Sequence, residues 1–227
     1  MLNRFLAWFV STKMWIAFAR HWMGHFTFRV FGYPKFPLEK YFEILNIFKQ
    51  QQDGLYGFVS ADTSSLSFIA ERAFTKCKYA HAGFIRKEGD HLFAWHMKGD
   101  GLNHWHLLKI LHECDRFALL KLPIVGETNI AIAKSRLDAI LTDPLVDYNY
   151  SFAMPTDVLN WLTKGEALTS EEKDSLQNLK MYCSEMVYIV GVGLASNPKF
   201  IQQWTYGRKV FEPDHLYDAS EILFEHT

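Results

Sequence analysis

Hydrophobic and polar positions along the chain change period several times, and each change predicts a boundary between elements. The first helical region is broken by Gly32-Tyr33-Pro34 and Pro37, and residues 38–51 read as a second helix ended by Asp53-Gly54. Residues 55–61 suggest a strand, residues 64–74 carry helical spacing, and residues 80–85 form a short apolar strand. Lys87-Glu88-Gly89-Asp90 is a hairpin turn, after which residues 91–97 return as the partner strand. A helix from about residue 104 to 112, an apolar strand at 117–122 and a helix at 127–141 follow. Thr169-Ser170-Glu171-Glu172 offers a capping box for a polar helix. The last apolar helix starts at Cys183 and runs to Val192, with Gly191 and Gly193 weakening its end. Strands paired by hairpins and interleaved with helices read as an α+β fold. The organisation is an N-terminal basic, aromatic helical extension over residues 1–53 and a main domain over residues 54–227.

The length of 227 residues, 49% of them hydrophobic, is enough to bury one full core. Three cysteines, an odd number with no CxxC spacing, point to free thiols and a reducing compartment, so the expected location is cytoplasmic. A net charge of −1 with dispersed Lys and Arg excludes a broad nucleic-acid footprint. Residues 1–38 break this evenness, because they hold Arg4, Lys13, Arg20, Arg29 and Lys35 with no acidic residue and many Trp and Phe. Ser11, Thr12 and Lys13 interrupt the apolar run, which makes it a poor signal peptide and too short for a transmembrane span. A helical extension packed on the domain is the plainer reading. Peripheral contact with an anionic membrane is the alternative.

A thiol becomes a useful nucleophile when a helix N-terminus and a neighbouring histidine lower its pKa. Cys183 fits that setting, in Met181-Tyr182-Cys183-Ser184-Glu185-Met186-Val187-Tyr188, where an extended run turns into an apolar helix. The other reading of Cys183 is a small core residue. Cys77 lies between two lysines with no helix start, and Cys114 reads as structural. Of ten histidines, His81 opens an apolar strand among small neighbours, and His96 follows across the hairpin. Pairing around that turn brings both imidazoles onto one sheet face, where His96 can orient His81. His104, His106, His112 and Cys114 make an unfavourable metal-ligand set, because on a helix His104 and His106 point apart. Glu185 reads as a first-turn residue favoured by the helix dipole rather than a catalytic carboxylate.

Several of these segments, in order, resemble one known family. Tyr79-Ala80-His81-Ala82-Gly83-Phe84-Ile85 is similar to an S/T-H-x-G-I/V histidine motif. Asp147-Tyr148-Asn149-Tyr150-Ser151-Phe152 is similar to a Y-D-x-x-F stretch, Tyr182-Cys183-Ser184-Glu185-Met186-Val187 to Y-C-S-E-L-V, and Glu212-Pro213-Asp214-His215-Leu216 to a terminal P-x-D-L turn. Phe58-Val59-Ser60, Ser64-Ser65 and Ala70-Glu71-Arg72-Ala73 resemble the opening strand and helix. The family is the YiiX/YebB-like branch of circularly permuted papain-like proteins, related to the NlpC cell-wall hydrolases and more distantly to lecithin:retinol acyltransferase. Its histidine precedes its cysteine, the reverse of papain.

The resemblance spans most of residues 54–224 and implies an antiparallel sheet packed against a helix bearing the nucleophilic cysteine. It departs at His96, where the family usually has glutamate, and at Gly57-Phe58, where a G-D pair is usual. It implies Cys183 as nucleophile, His81 as base and His96 as the orienting group, with no cofactor and no metal. The implied substrate is an amide, ester or thioester, peptide-like or lipid-like, cleaved or transferred through a thioacyl intermediate. A non-catalytic module whose groove binds an acyl or peptide ligand is the alternative.

Overall fold

The computed structural model describes residues 38–51, 54–63, 77–98, 101–141, 162–167, 169–172, 181–205 and 208–227. The helical spacing at 64–74, the stretch at 147–152 and residues 1–37 of the basic segment lie outside them. Helix α1 (Leu38–Gln50) precedes strands β1 (Tyr56–Ala61), β2 (His81–Glu88), β3 (His91–Lys98) and β4 (Gly101–His106). Then come α2 (Leu107–Glu113), β5 (Arg116–Lys121), α3 (Glu127–Leu141) and α4 (Cys183–Gly191). A short ribbon, β6 (Gln203–Thr205) with β7 (Arg208–Val210), leads to α5 (Pro213–Ala219) and β8 (Glu221–His226).

Six strands form one antiparallel sheet in the order β4-β3-β2-β1-β5-β8. The hairpin between β2 and β3 closes on the pair Glu88↔His91. Its turn residue Gly89 has φ +61°, the left-handed conformation that glycine adopts without a Cβ penalty. Strand alternation gives the sheet two apolar faces. On the first, Tyr56, Phe58, Ile85, Leu92, Ala94, Phe117 and Leu119 pack with Tyr41, Ile44 and Phe48 of α1 and Leu107 and Leu111 of α2. On the second, Val59, Ala82, Phe84, Met97, Ala118 and Leu120 pack against α3 and α4. This continuous burial on both sides is why β1 is apolar at nearly every position, not only at alternate ones.

One expectation is overturned. The segment expected as a helix from about residue 104 is strand β4 up to His106, and the helix begins only at Leu107. β4 pairs with β3 from Phe93↔His106 to Lys98↔Gly101, so sheet hydrogen bonding overrides the local helical spacing. His106 then ends the strand and caps α2, its Nδ1 accepting the N–H of Leu108 at 3.3 Å. On a strand His104 and His106 share a face, so the reason for setting them aside as ligands does not hold as stated. The capping box at Thr169 is formed: Thr169 N–H donates to Glu172 at 2.8 Å, and Glu172 N–H to Thr169 Oγ1 at 3.2 Å.

Candidate active site

His81 and His96 meet on the first face of the sheet. His81 opens β2 opposite Ser60, and the pairing of Phe84 with Trp95 carries His96 to the same side as His81. His81 Nε2 lies 2.7 Å from His96 Nδ1, with the rings edge to face. Gly83 makes this approach possible. A Cβ there would sit 2.5 Å from the Trp95 carbonyl oxygen, 2.7 Å from the Phe58 ring and 2.8 Å from His96 Cβ. The glycine of the histidine motif therefore serves the pair by having no side chain.

Both imidazoles are held neutral. Burial, then the positive charge of Lys98, pushes His81 down to about 3. Burial, His81 and the ammonium groups of Lys98 and Lys109 push His96 down to about 2. Those lysines stand over the Trp105 ring at 4.0 and 3.2 Å from its centroid, and Trp105 lies edge to face with His96. His96 is fully buried, and its Nε2 makes no hydrogen bond among the described residues. One neutral ring must donate to the other. If His81 Nε2–H donates, His96 is left with a buried, unpaired N–H; if His96 Nδ1–H donates, only a bare lone pair is left.

Cys183 is the first residue of α4, 6% exposed, in the core of the second face. The imidazole pair thus projects from the face opposite the one α4 covers. The C-terminal turn of α4 is beside Ile124, just beyond the end of β5 that pairs with the start of β1. α4 packs over β2 and β3.

The helix is anchored at both ends. Glu185, buried in its first turn, accepts the Tyr182 N–H at 3.2 Å, and Ser184 Oγ donates to the Phe211 carbonyl at 2.5 Å. At the far end the buried guanidinium of Arg136 donates to the carbonyls of Val192 at 2.7 Å, Leu162 at 2.9 Å and Ile189 at 3.4 Å. A cation at a helix C-terminus complements the dipole, although burial lowers its pKa to about 10. Sequence reading passed over Arg136, although it sits on the stripe of Ala133, Leu137 and Ile140, where a charged residue is out of place.

Cys77 is buried beside Ala61 and Ala80, and Cys114 is buried at the end of α2. His104 contacts Glu88 at 3.0 Å and His106 contacts His91 at 3.3 Å. Among the described residues no group of three or more His, Cys, Asp or Glu side chains is placed to hold a metal ion. No helix among them is long and apolar enough to cross a membrane.

No family model and no curated protein matches the chain. Among solved structures it is similar to the crystal structure of metalloprotein YiiX from Escherichia coli O157:H7, a DUF1105 protein. The match has a TM-score of 0.52 and 14% identity, and covers 78% of this chain and 98% of that one. The chain has a YiiX-like fold. The six-stranded antiparallel sheet with its helices is the part of the resemblance that this comparison carries.

Proposed function

We propose that the protein is a thiol-dependent acyl hydrolase or acyltransferase of the circularly permuted papain-like kind. Cys183 is its nucleophile, His81 its general base and acid, and His96 its orienting group. The observation that carries the reading is the 2.7 Å contact between His81 Nε2 and His96 Nδ1. With His81 Nε2–H donating to His96, the contact leaves His81 Nδ1 unprotonated to exchange a proton with a thiol, and this is the tautomer in which His96 Nε2–H stays unpaired. Supporting it are the position of Cys183 at a helix N-terminus and the ordered motif matches.

In the proposed reaction Cys183 Sγ gives its proton to His81 Nδ1 and attacks the carbonyl carbon of an amide, ester or thioester. The backbone N–H of Cys183 precedes the helical ladder, whose first bond is Met186 N–H to the Tyr182 carbonyl, and would stabilise the oxyanion. His81 returns the proton to the leaving amine, alcohol or thiol. Water or an acceptor nucleophile then resolves the thioacyl enzyme. His81 is the first residue of its strand, and the proposal requires its ring to meet the thiol around the end of the sheet.

YiiX is described as a metalloprotein. The imidazole pair here does not fit that role, since each nitrogen would need about 2.1 Å to a zinc ion and the two are 2.7 Å apart with no third ligand among the described residues.

A second reading, a groove that binds an acyl or peptide ligand without chemistry, is favoured by the placement of the imidazoles on the face opposite α4. Capture by an acyl-directed covalent probe separates the two. Cys183→Ala should abolish labelling and His81→Ala should slow it strongly, whereas undiminished labelling in both would sink the enzyme reading. His96→Ala should impair labelling. His96→Glu should preserve or raise it, because a carboxylate accepts His81 Nε2–H without leaving a buried N–H unpaired, a defect worth about 1–3 kcal/mol.

A further inference from the structure

The chain entering β2 is held at each N–H just before His81. Ala80 N–H donates to the Ser60 carbonyl at 3.1 Å, as the last bond before the strand ladder. The two preceding groups go to one side chain from the far end of the sequence. Asp214 Oδ2 accepts the Lys78 N–H at 2.7 Å, and Asp214 Oδ1 accepts the Tyr79 N–H at 2.9 Å. Asp214 stands in the first turn of α5, where Pro213 fixes the helix start.

The side chains of the same two residues are tied to the neighbouring β8. Glu225 Oε1 accepts from Tyr79 OH at 2.8 Å, from Lys78 Nζ at 3.1 Å and from Tyr217 OH at 3.0 Å. α5 and β8 together thus grip residues 78 and 79 by backbone and by side chain. A carboxylate accepting from two adjacent N–H groups is a short, directional clamp, and these bonds oppose the upward shift that burial gives the Asp214 pKa. A dipeptide so fixed leaves little freedom of position to the residue two places on.

We propose that Asp214 is a positioning residue for His81, setting where the strand that presents the imidazole begins and so maintaining its 2.7 Å contact with His96. The catalytic importance of that contact rests on the function proposed above; the positioning itself does not.

The test compares the full chain with Asp214→Ala and the milder Asp214→Asn, which keeps one acceptor. Nitrogen-15 NMR of the imidazoles reads the result, with circular dichroism as the check on folding. In the unaltered protein the His81 and His96 nitrogens should report one neutral, hydrogen-bonded pair. In Asp214→Ala that pairing should be lost, and His81 should titrate closer to the ordinary value of about 6.5. Asp214→Asn should lie between the two and serves alone if the alanine variant fails to fold. Labelling of Cys183 should fall roughly 10- to 100-fold with the loss of alignment. Imidazole signals identical to the unaltered protein in a folded Asp214 variant would overturn the proposal. If the unaltered protein takes no label at Cys183, the enzyme reading fails, and the NMR comparison still decides the clamp.

Discussion

Two neutral histidines, one buried and one half-buried, make acid a specific threat to this protein. Both folded values, about 3 and about 2, lie below the unfolded value of about 6.5. The unfolded chain therefore takes up protons first, and stability present above pH 6.5 is lost as the pH falls toward 3. The expected slope is at most about 1.4 kcal/mol per pH unit for each histidine. Urea unfolding between pH 7 and 5 measures it, and His96→Gln should remove one histidine's share; an unchanged slope would contradict the burial of that ring. Gly83→Ala is the second residue-scale test. Its Cβ meets a carbonyl oxygen, a ring and a Cβ that cannot all withdraw, so a loss of roughly 1–3 kcal/mol is expected together with the imidazole pairing. Wild-type stability would show that the strands slide apart without strain.

At the scale of elements, α4 depends on groups far from it in sequence. Arg136→Leu should cost about 2–4 kcal/mol, because it leaves carbonyls of α4 and of the segment at Leu162 without their donor. Urea midpoints at constant slope would measure this, and a change below about 0.5 kcal/mol would mean that water replaces the guanidinium. The same contrast explains what was legible in the sequence. α3, spanning Glu127–Leu141, and the start of α4 at Cys183 follow from local periodicity, and the pairing of His81 with His96 follows from the parity of one hairpin. β4 was read as helix because its partner, β3, decides its state. The tasks of Asp214, quoted only as part of a motif, and of Arg136 were not legible because their partners are backbone groups about 136 and 26 to 56 positions away, which leave no trace in residue type.

For the molecule as a whole, the YiiX-like fold is present at 14% identity. The chemistry does not follow from architecture alone. The sequence motifs named Cys183, His81 and His96, yet strand alternation sets the imidazoles and the thiol on different faces, a relation that no motif encodes. A lipid-like substrate would be supported if residues 1–38 bound anionic vesicles with an affinity that falls as salt rises. Absence of vesicle binding would favour a soluble amide or peptide substrate.

The most direct test of the central claim is the alkylation rate of Cys77, Cys114 and Cys183 as a function of pH, read by peptide mass after brief iodoacetamide treatment of the folded protein. All three thiols are buried, so reaction reports thiolate character and access together at each site. Cys183 alone should react quickly below pH 7, and His81→Ala should abolish this advantage. Slow reaction of all three with midpoints near the ordinary value of about 8.5 would contradict it.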